Sequence, residues 1–176
     1  KSMTAEGELL DVALEGSSPE SVSVEKVLVA VGRTPNTEDL GLEAAGAALE
    51  KGFVVVGDYY RTDVPGIYAA GDVVPTPLLA HLASKEAEIA VQHMAGHPCP
   101  PRVDPLSVPG AIYSEPQIAS FGHTEERAKA AGVPYAKATF PYRGAGKSIA
   151  VGKPEGLVKL LTDPNSREII GAHVVG

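Results

Sequence analysis

A short apolar stretch ends in a glycine and an aspartate at Tyr68-Ala69-Ala70-Gly71-Asp72. The stretch from Ile67 to Ala70 predicts a strand, so Asp72 would lie at its carboxyl end, where a carboxylate can accept hydrogen bonds from ligand hydroxyls such as those of ribose or ribitol. Gly71 would let the backbone approach such a ligand closely. A strand followed by an ordinary Asx turn has the same residue types, because Gly-Asp is a common turn pair. Taken alone, the stretch leaves both interpretations open.

A second candidate site lies at the start of a helix predicted from Leu78 to Met94, with Pro77 in its first turn. The first N–H groups of a helix lack internal partners and lie at the positive end of its dipole, so they can stabilise a negative charge. The amides concerned belong to Leu78, Leu79, Ala80 and His81. A plain core helix is the alternative, because an apolar face runs along it. That face comprises Leu79, Leu82, Ala83, Ala87, Ile89, Ala90 and Val91.

The context of the first stretch carries a specific resemblance. The eleven residues from Thr62 to Asp72 resemble the second FAD motif of the two-dinucleotide-domain flavoproteins, Thr-x-x-Pro-x-[Ile/Val]-[Tyr/Phe]-Ala-x-Gly-Asp. In that family the aspartate binds the ribityl chain of FAD, and the resemblance gives this role to Asp72. It also places the amides of residues 78–81 at the N1–C2=O edge of the flavin, where a reduced flavin carries negative charge.

Two further segments resemble the same family, the pyridine nucleotide-disulfide oxidoreductases. Ala30-Val31-Gly32-Arg33-Thr34-Pro35-Asn36 is similar to the Ala-x-Gly-Arg-x-Pro-Asn motif that closes the NAD(P) domain. Gly32 is the candidate NAD contact, because a residue without a side chain permits close approach of a nicotinamide. Arg33 is a cation of the same motif or simply a solvated loop residue. Residues 108–126 resemble the start of the dimerisation domain.

Near the end of the chain, Ile169 to Gly176 resembles a stretch typical of the dihydrolipoamide dehydrogenases within this family. The resemblance therefore implies part of a flavin-dependent enzyme that reoxidises dihydrolipoamide with NAD in 2-oxoacid dehydrogenase complexes. FAD and NAD are the implied cofactors, and a homodimer and a lipoyl-bearing component of those complexes are the implied partners. A mercuric or glutathione reductase-like enzyme is the alternative within the family. A stand-alone dimerisation or interaction module without activity is the alternative outside it.

The resemblance also implies that this chain is a piece of the family's full length. The first FAD motif, the redox pair of cysteines and the terminal His/Glu acid-base segment have no counterpart in it, since Cys99 is the only cysteine. We therefore expect no catalytic residue of the thiol-disulfide chemistry among these 176 residues.

The expected fold class is α/β and α+β in three segments. Residues 1–33 would end the NAD-binding domain, 34–104 would form the second segment of a Rossmann-like FAD-binding domain, and 105–176 would form part of a truncated α+β dimerisation domain. Strands, helices and turns are predicted from apolar patterning and Gly/Pro punctuation. Thr124 is the predicted N-cap of a helix, and Asp163 to Ser166 is a predicted hairpin loop. Strands are predicted at Glu8–Leu14, Val22–Val31, Phe53–Val56, Ala111–Tyr113, Gln117–Phe121, Tyr135–Tyr142, Gly156–Thr162 and Glu168–Val175, and helices at Leu40–Ala47 and Thr124–Ala131.

Composition excludes several classes of function. The net charge of −7 argues against a general affinity for nucleic-acid phosphates, which needs clustered Lys and Arg. No run of about 18 apolar residues exists, so no membrane helix is expected. A single cysteine suits a reducing cytosol, which favours a cytoplasmic location.

Two weaker patterns are interpreted as structural. Gly144-Ala145-Gly146-Lys147-Ser148 ends like a phosphate-binding loop, but the position of the first required glycine is Pro141 and no helical pattern is recognised after it. His93, His97 and Cys99 would give at most three metal ligands in a proline-stiffened segment, so surface residues at a helix end are the preferred interpretation and no metal is expected.

Overall fold

The structure is a computed structural model, and it describes residues 2–6, 9–16 and 20–176. The chain forms two compact units, residues 1–34 and residues 35–176. No helix in the described ranges is long and apolar enough to cross a membrane.

The first unit contains a three-stranded antiparallel sheet. Strand β1 (Ser2–Glu6) pairs with β2 (Leu9–Leu14), which pairs in turn with β3 (Glu20–Val24). The predicted strand at Glu8–Leu14 is confirmed as β2, although Glu8 itself lies outside the described residues, and β1 was not predicted.

The prediction of a buried strand through Val31 is wrong, because β3 ends at Val24 and residues 26–31 have no regular structure. Leu28 and Val31 are 91% and 92% exposed. A strand that is apolar on both faces needs neighbouring strands and a covering layer on each side. None of the described strands pairs with residues 26–31, so no neighbouring strand buries the apolar side chains of Leu28 and Val31.

The first part of the second unit has little regular structure before its long helix. It contains the short helix α1 (Leu42–Ala45), the paired strands β4 (Leu49–Glu50) and β5 (Phe53–Val54), and the helix α2 (Ala80–Met94). The strand predicted for Ile67–Ala70 is wrong, because only Tyr68 forms a β-bridge, with Arg61. A single bridge without a continuing neighbour strand cannot propagate a ladder.

Helix α2 starts two residues later than predicted, at Ala80, which leaves Pro77 before the helix rather than in its first turn. Its buried residues are Leu82, Glu86, Ile89 and Ala90. Val91, predicted on the apolar face, is 60% exposed. Ile89 and Ala90 pack with the buried Tyr60 in the core cluster of this part of the unit.

The second part of the unit is an antiparallel sheet of five strands in the order β6-β7-β10-β9-β8. Two short helices, α3 and α4, lie between strands in the sequence. The elements are β6 (Gly110–Ile112), β7 (Ile118–Gly122), α3 (Glu125–Ala130), β8 (Ala136–Pro141), α4 (Gly146–Ala150), β9 (Leu157–Thr162) and β10 (Ile169–Val175). Helix α4 was not predicted. The α+β character predicted for this region is confirmed.

Candidate flavin site

The turn before the candidate site is closed by one threonine. The Thr62 hydroxyl donates to the carbonyl of Ile67 at 3.0 Å and accepts from the amide of Val64 at 3.2 Å. The amide of Thr62 also donates to the Ile67 carbonyl at 3.0 Å. Thr62 is buried, so these bonds are protected from water and hold the turn between Arg61 and Tyr68. Thr62, the first residue of the motif, thus stabilises the loop that leads to Asp72, the last residue of the motif.

At position 71 a residue larger than glycine would strain the backbone. The φ of Gly71 is +81°, in the left-handed region, and a Cβ there would lie 3.2 Å from the Cβ of Ala83. Gly71 therefore packs against the first turn of α2, and Asp72 follows it on the exposed surface. The turn that carries Asp72 and the first turn of α2 are therefore in contact, and the roles given to their residues stay predictions.

Sequence patterns missed the side chain that joins these two elements. The carboxylate of Glu86 accepts a hydrogen bond from the Gly71 amide through Oε2 at 2.8 Å. Glu86 is completely buried, and its Oε1 has no hydrogen-bond partner within the described part of the chain. A signal was present in the sequence, because Glu86 lies four residues after Leu82 and three before Ile89, on the buried stripe of the helix.

The start of α2 carries no side-chain cap. Leu79 is the N-cap residue with extended backbone (φ −129°), and its own amide donates to the Pro77 carbonyl at 2.8 Å. Because the first amides of a helix have no acceptor one turn earlier, an uncapped start leaves donors that an anionic ligand group can use. Of the four predicted residues, Ala80 and His81 belong to the first turn, whereas Leu78 and Leu79 precede it.

The side chain of His81 is used elsewhere. Its Nε2 lies 2.8 Å from the carbonyl oxygen of Pro109. This contact agrees with an interpretation in which the backbone of His81, rather than its imidazole, faces a ligand.

The last part of α2 holds Tyr68, the aromatic residue of the motif. Its hydroxyl lies 3.0 Å from Nδ1 of His93, and the His93 ring stacks on Tyr59 with centroids 4.3 Å apart. His93, one of the three residues considered as a metal ligand from the sequence, is thus part of an aromatic cluster with Tyr59 and Tyr68. The thiol of Cys99 donates to the Ile89 carbonyl at 3.7 Å. Within the described ranges no three His, Cys, Asp or Glu residues are grouped to hold a metal ion.

The segment that resembles a phosphate-binding loop does contain a helix, which corrects the expectation that none follows. Helix α4 begins inside the pattern, at Gly146. The Ser148 hydroxyl is nevertheless buried and bonded within the segment, 2.7 Å from the Ala145 carbonyl and 2.8 Å from that of Tyr142. A hydroxyl engaged in this way is not presented to a ligand.

Gly32, the predicted NAD contact, lies in the first unit. Its φ of +136° is a conformation that residues with a side chain rarely adopt. Apart from its two chain neighbours, none of the described residues has an atom within 4 Å of the place where a Cβ would be. This open backbone suits close approach of a ligand, and the assignment to NAD stays a prediction.

Family models match both ends of the chain. A pyridine nucleotide-disulphide oxidoreductase model matches residues 1–87, and the model of the dimerisation domain of the same family matches residues 108–176. The chain belongs to the pyridine nucleotide-disulphide oxidoreductase family. The resemblance predicted from the motifs is therefore confirmed.

Curated relatives within this family are named dihydrolipoyl dehydrogenase. The protein from Cupriavidus necator is 42% identical over 157 residues, which cover 89% of this chain and 33% of the relative. The protein from Thermus scotoductus is 42% identical over 165 residues, covering 93% of this chain and 35% of the relative. The chain thus spans about a third of the length of the curated relatives it matches.

Two solved structures share the fold of this chain. LpdA from Mycobacterium tuberculosis superposes with a TM-score of 0.87 at 29% identity, covering 99% of this chain and 38% of LpdA. The Cu(II) complex of the HOCl-induced flavoprotein disulfide reductase RclA from Escherichia coli superposes with a TM-score of 0.82 at 25% identity, covering 97% of this chain and 38% of RclA. The predicted fold class is confirmed.

Proposed function

We propose that this chain is part of an enzyme that reoxidises dihydrolipoamide with NAD. The observation that carries the proposal is the name of the curated relatives, which are 40–42% identical over about nine tenths of the chain. The stretch Ile169 to Gly176, which is similar to one typical of dihydrolipoamide dehydrogenases, supports the same conclusion. When bound, FAD would pass electrons between a redox-active disulfide and NAD, and the protein supplies binding and electrostatics.

For the flavin site we propose two groups on the second unit. Asp72 would accept hydrogen bonds from the ribityl hydroxyls, since it is exposed directly after the Gly71 turn. The backbone of Leu78, Leu79, Ala80 and His81 would face the N1–C2=O edge of the flavin. The amides of Ala80 and His81, in the first turn of α2, would be the donors there, because the Leu79 amide already donates to the Pro77 carbonyl. Gly32 would contact NAD.

The proposed organisation follows the family. Residues 1–33 would close the NAD-binding domain, residues 34–104 would form the second segment of the FAD-binding domain, and residues 105–176 would belong to the dimerisation domain. The match of the dimerisation-domain model supports a homodimer. A lipoyl-bearing component of 2-oxoacid dehydrogenase complexes is the proposed partner, and the cytoplasm is the proposed location.

Activity of the full-length protein is the direct test. The purified holoenzyme should reduce NAD when dihydrolipoamide is supplied, and it should turn over glutathione disulfide or Hg(II) with NADPH much more slowly. Turnover with either of the latter pairs and none with dihydrolipoamide would replace the proposal by a glutathione or mercuric reductase.

The stand-alone module is tested separately, by the intact mass of the protein from its native source. A mature protein that comprises only these 176 residues would exclude the enzyme. A mass near three times larger would agree with the length of the relatives. Fractionation of native cells with an antibody to the chain would test the proposed location.

A further inference from the structure

We propose that Glu86 is a positioning residue for the flavin site, which holds the Gly71–Asp72 turn against helix α2 so that Asp72 meets the ribityl chain. The proposal rests on the proposed function, because it assigns a role to Glu86 within that flavin site. Glu86 would not touch the cofactor, and it would act through the backbone of Gly71.

Three contacts fix the backbone of Gly71. Its amide donates to Glu86 Oε2 at 2.8 Å, and its carbonyl accepts from the amide of Val74 at 2.9 Å. Its α-carbon packs so close to Ala83 that a Cβ would be only 3.2 Å away. Val74 is fully buried, so the turn is anchored behind Asp72 as well as before it. The peptide that precedes the exposed carboxylate therefore has little freedom to rotate.

Among these contacts, the one with Glu86 is unusual because it involves a fully buried glutamate side chain. Burying a carboxylate costs free energy, and here one of its two oxygens has no partner within the described residues. The other oxygen accepts the hydrogen bond from the Gly71 amide at 2.8 Å. The stabilisation that Glu86 provides is thus concentrated on a single amide, that of Gly71, next to the proposed ligand of FAD.

The geometry also joins the two halves of the proposed site. Glu86 lies six residues into α2, on the same helix whose uncapped start would face the flavin ring. The bond from Gly71 to Glu86 therefore ties the aspartate turn to the element that carries the anion-binding amides. A shift of this turn along the helix would move Asp72 relative to those amides. A displacement of about 1 Å would already disturb the alignment of the two groups with a ligand.

The experiment is a double-mutant cycle in the full-length protein, with the Kd for FAD measured by reconstitution of apoprotein. The variants are Glu86→Leu, Asp72→Ala and both together, and flavin absorption and fluorescence are recorded for each. We expect Glu86→Leu to raise the Kd for FAD about 10-fold or more when Asp72 is present. In the Asp72→Ala background the same change should have little effect, because the residue through which it acts is gone.

Two controls separate positioning from general stability. Glu86→Gln keeps an acceptor oxygen for the Gly71 amide without the charge, so it should stay within about 3-fold of the parent Kd. Glu88→Leu removes an exposed carboxylate from the same helix, which pairs with Lys85 at 2.7 Å, and it should leave the Kd unchanged. If Glu86→Leu does not fold, the cycle is run with Glu86→Ala, which also removes the acceptor of the Gly71 amide and whose effect should likewise vanish in the Asp72→Ala background.

The outcomes distinguish this proposal from the proposed function. Equal effects of the Glu86 substitution with and without Asp72 would show a merely structural role and overturn the positioning role alone. A full-length parent protein that neither retains nor takes up FAD would overturn the proposed function itself.

Discussion

Two regions of the second unit are held together in different ways. In the segment from Arg61 to Met94, single side chains bond to backbone groups of a loop, as Thr62 does with Ile67 and Glu86 with Gly71. In the five-stranded sheet, backbone ladders between neighbouring strands supply most of the order. The sheet distributes its stability over many equivalent bonds, whereas the loop between Arg61 and Ala80 is held by a smaller set of specific bonds from side chains and backbone.

This difference predicts two kinds of variant. Substitutions in the sheet should change folding and leave the affinity for FAD of the folded protein unchanged. Substitutions in the segment should change FAD binding more than stability. The following four predictions test that separation in the full-length protein, from the largest expected effect to the smallest.

Gly171→Ala should give the largest effect, on folding. A Cβ on Gly171 would overlap the carbonyl oxygen of His123, where β10 passes the end of β7. Because the obstacle is backbone, relief requires movement of the sheet, and we expect a cost of about 3 kcal/mol in the free energy of unfolding. Thermal and denaturant unfolding measure it. Gly110→Ala, with open space around the added methyl group, is the control and should change little. A Gly171→Ala protein as stable as the control would contradict the packing seen here.

Asp72→Ala should act on the other region. We expect FAD to be retained less well, by about 1.5–3 kcal/mol of binding free energy, because a charge-assisted hydrogen bond to the ribityl chain is lost. Flavin content after purification and the Kd for FAD measure this. Asp63→Ala, an exposed carboxylate of the preceding turn, is the matched control. Equal flavin content in the two variants would remove Asp72 from the site.

Thr124→Ala should weaken the sheet region modestly. The Thr124 hydroxyl accepts from the amide of Arg127 at 3.1 Å and caps α3. Loss of an N-cap costs about 1 kcal/mol, so the midpoint of unfolding should fall while the Kd for FAD stays constant. Thr124→Ser keeps the capping oxygen and should lie near the parent. A change in FAD affinity would show that the two regions are coupled more closely than proposed.

Asp163 should give the smallest effect, and one that depends on pH. The amides of Ser166 and Asn165 donate to its carboxylate and hold the pKa of Asp163 below its ordinary value of 3.8. Because the folded-state pKa is depressed, the stabilisation is present above the ordinary pKa and is lost as the pH falls through the folded value. Asp163→Asn should therefore show a smaller loss of stability on acidification than the parent. A carboxyl NMR titration that gives Asp163 a pKa of 3.8 or higher would contradict this contact.

Local chemistry explains what could be predicted from the sequence. The cap at Thr124 and the hairpin loop at Asp163 act between residues two to five positions apart, so their sequence pattern specifies them directly. The strands β8, β9 and β10 follow the predicted ranges within one residue at each end, because each has the apolar and β-branched residues of a paired strand. These elements needed no knowledge of distant neighbours.

The errors lie where the outcome depends on partners. Residues 26–31 have the composition of a buried strand, yet Leu28 and Val31 are almost fully exposed because none of the described strands pairs with them. Ile67–Ala70 is equally apolar and forms one bridge instead of a strand. Apolar residues indicate that a segment can be buried, but they do not specify which part of the protein covers it.

The sequence alone therefore determined the family, through the motif from Thr62 to Asp72. It also determined the local turns and caps. The tertiary structure decided that Glu86 accepts from the Gly71 amide, 15 residues away in the chain, and that Gly71 packs on Ala83. The physical reason is range, since a cap or an Asx turn forms between neighbours along the chain. The burial of a carboxylate and its choice of a single amide depend instead on how a helix and a loop come together in space.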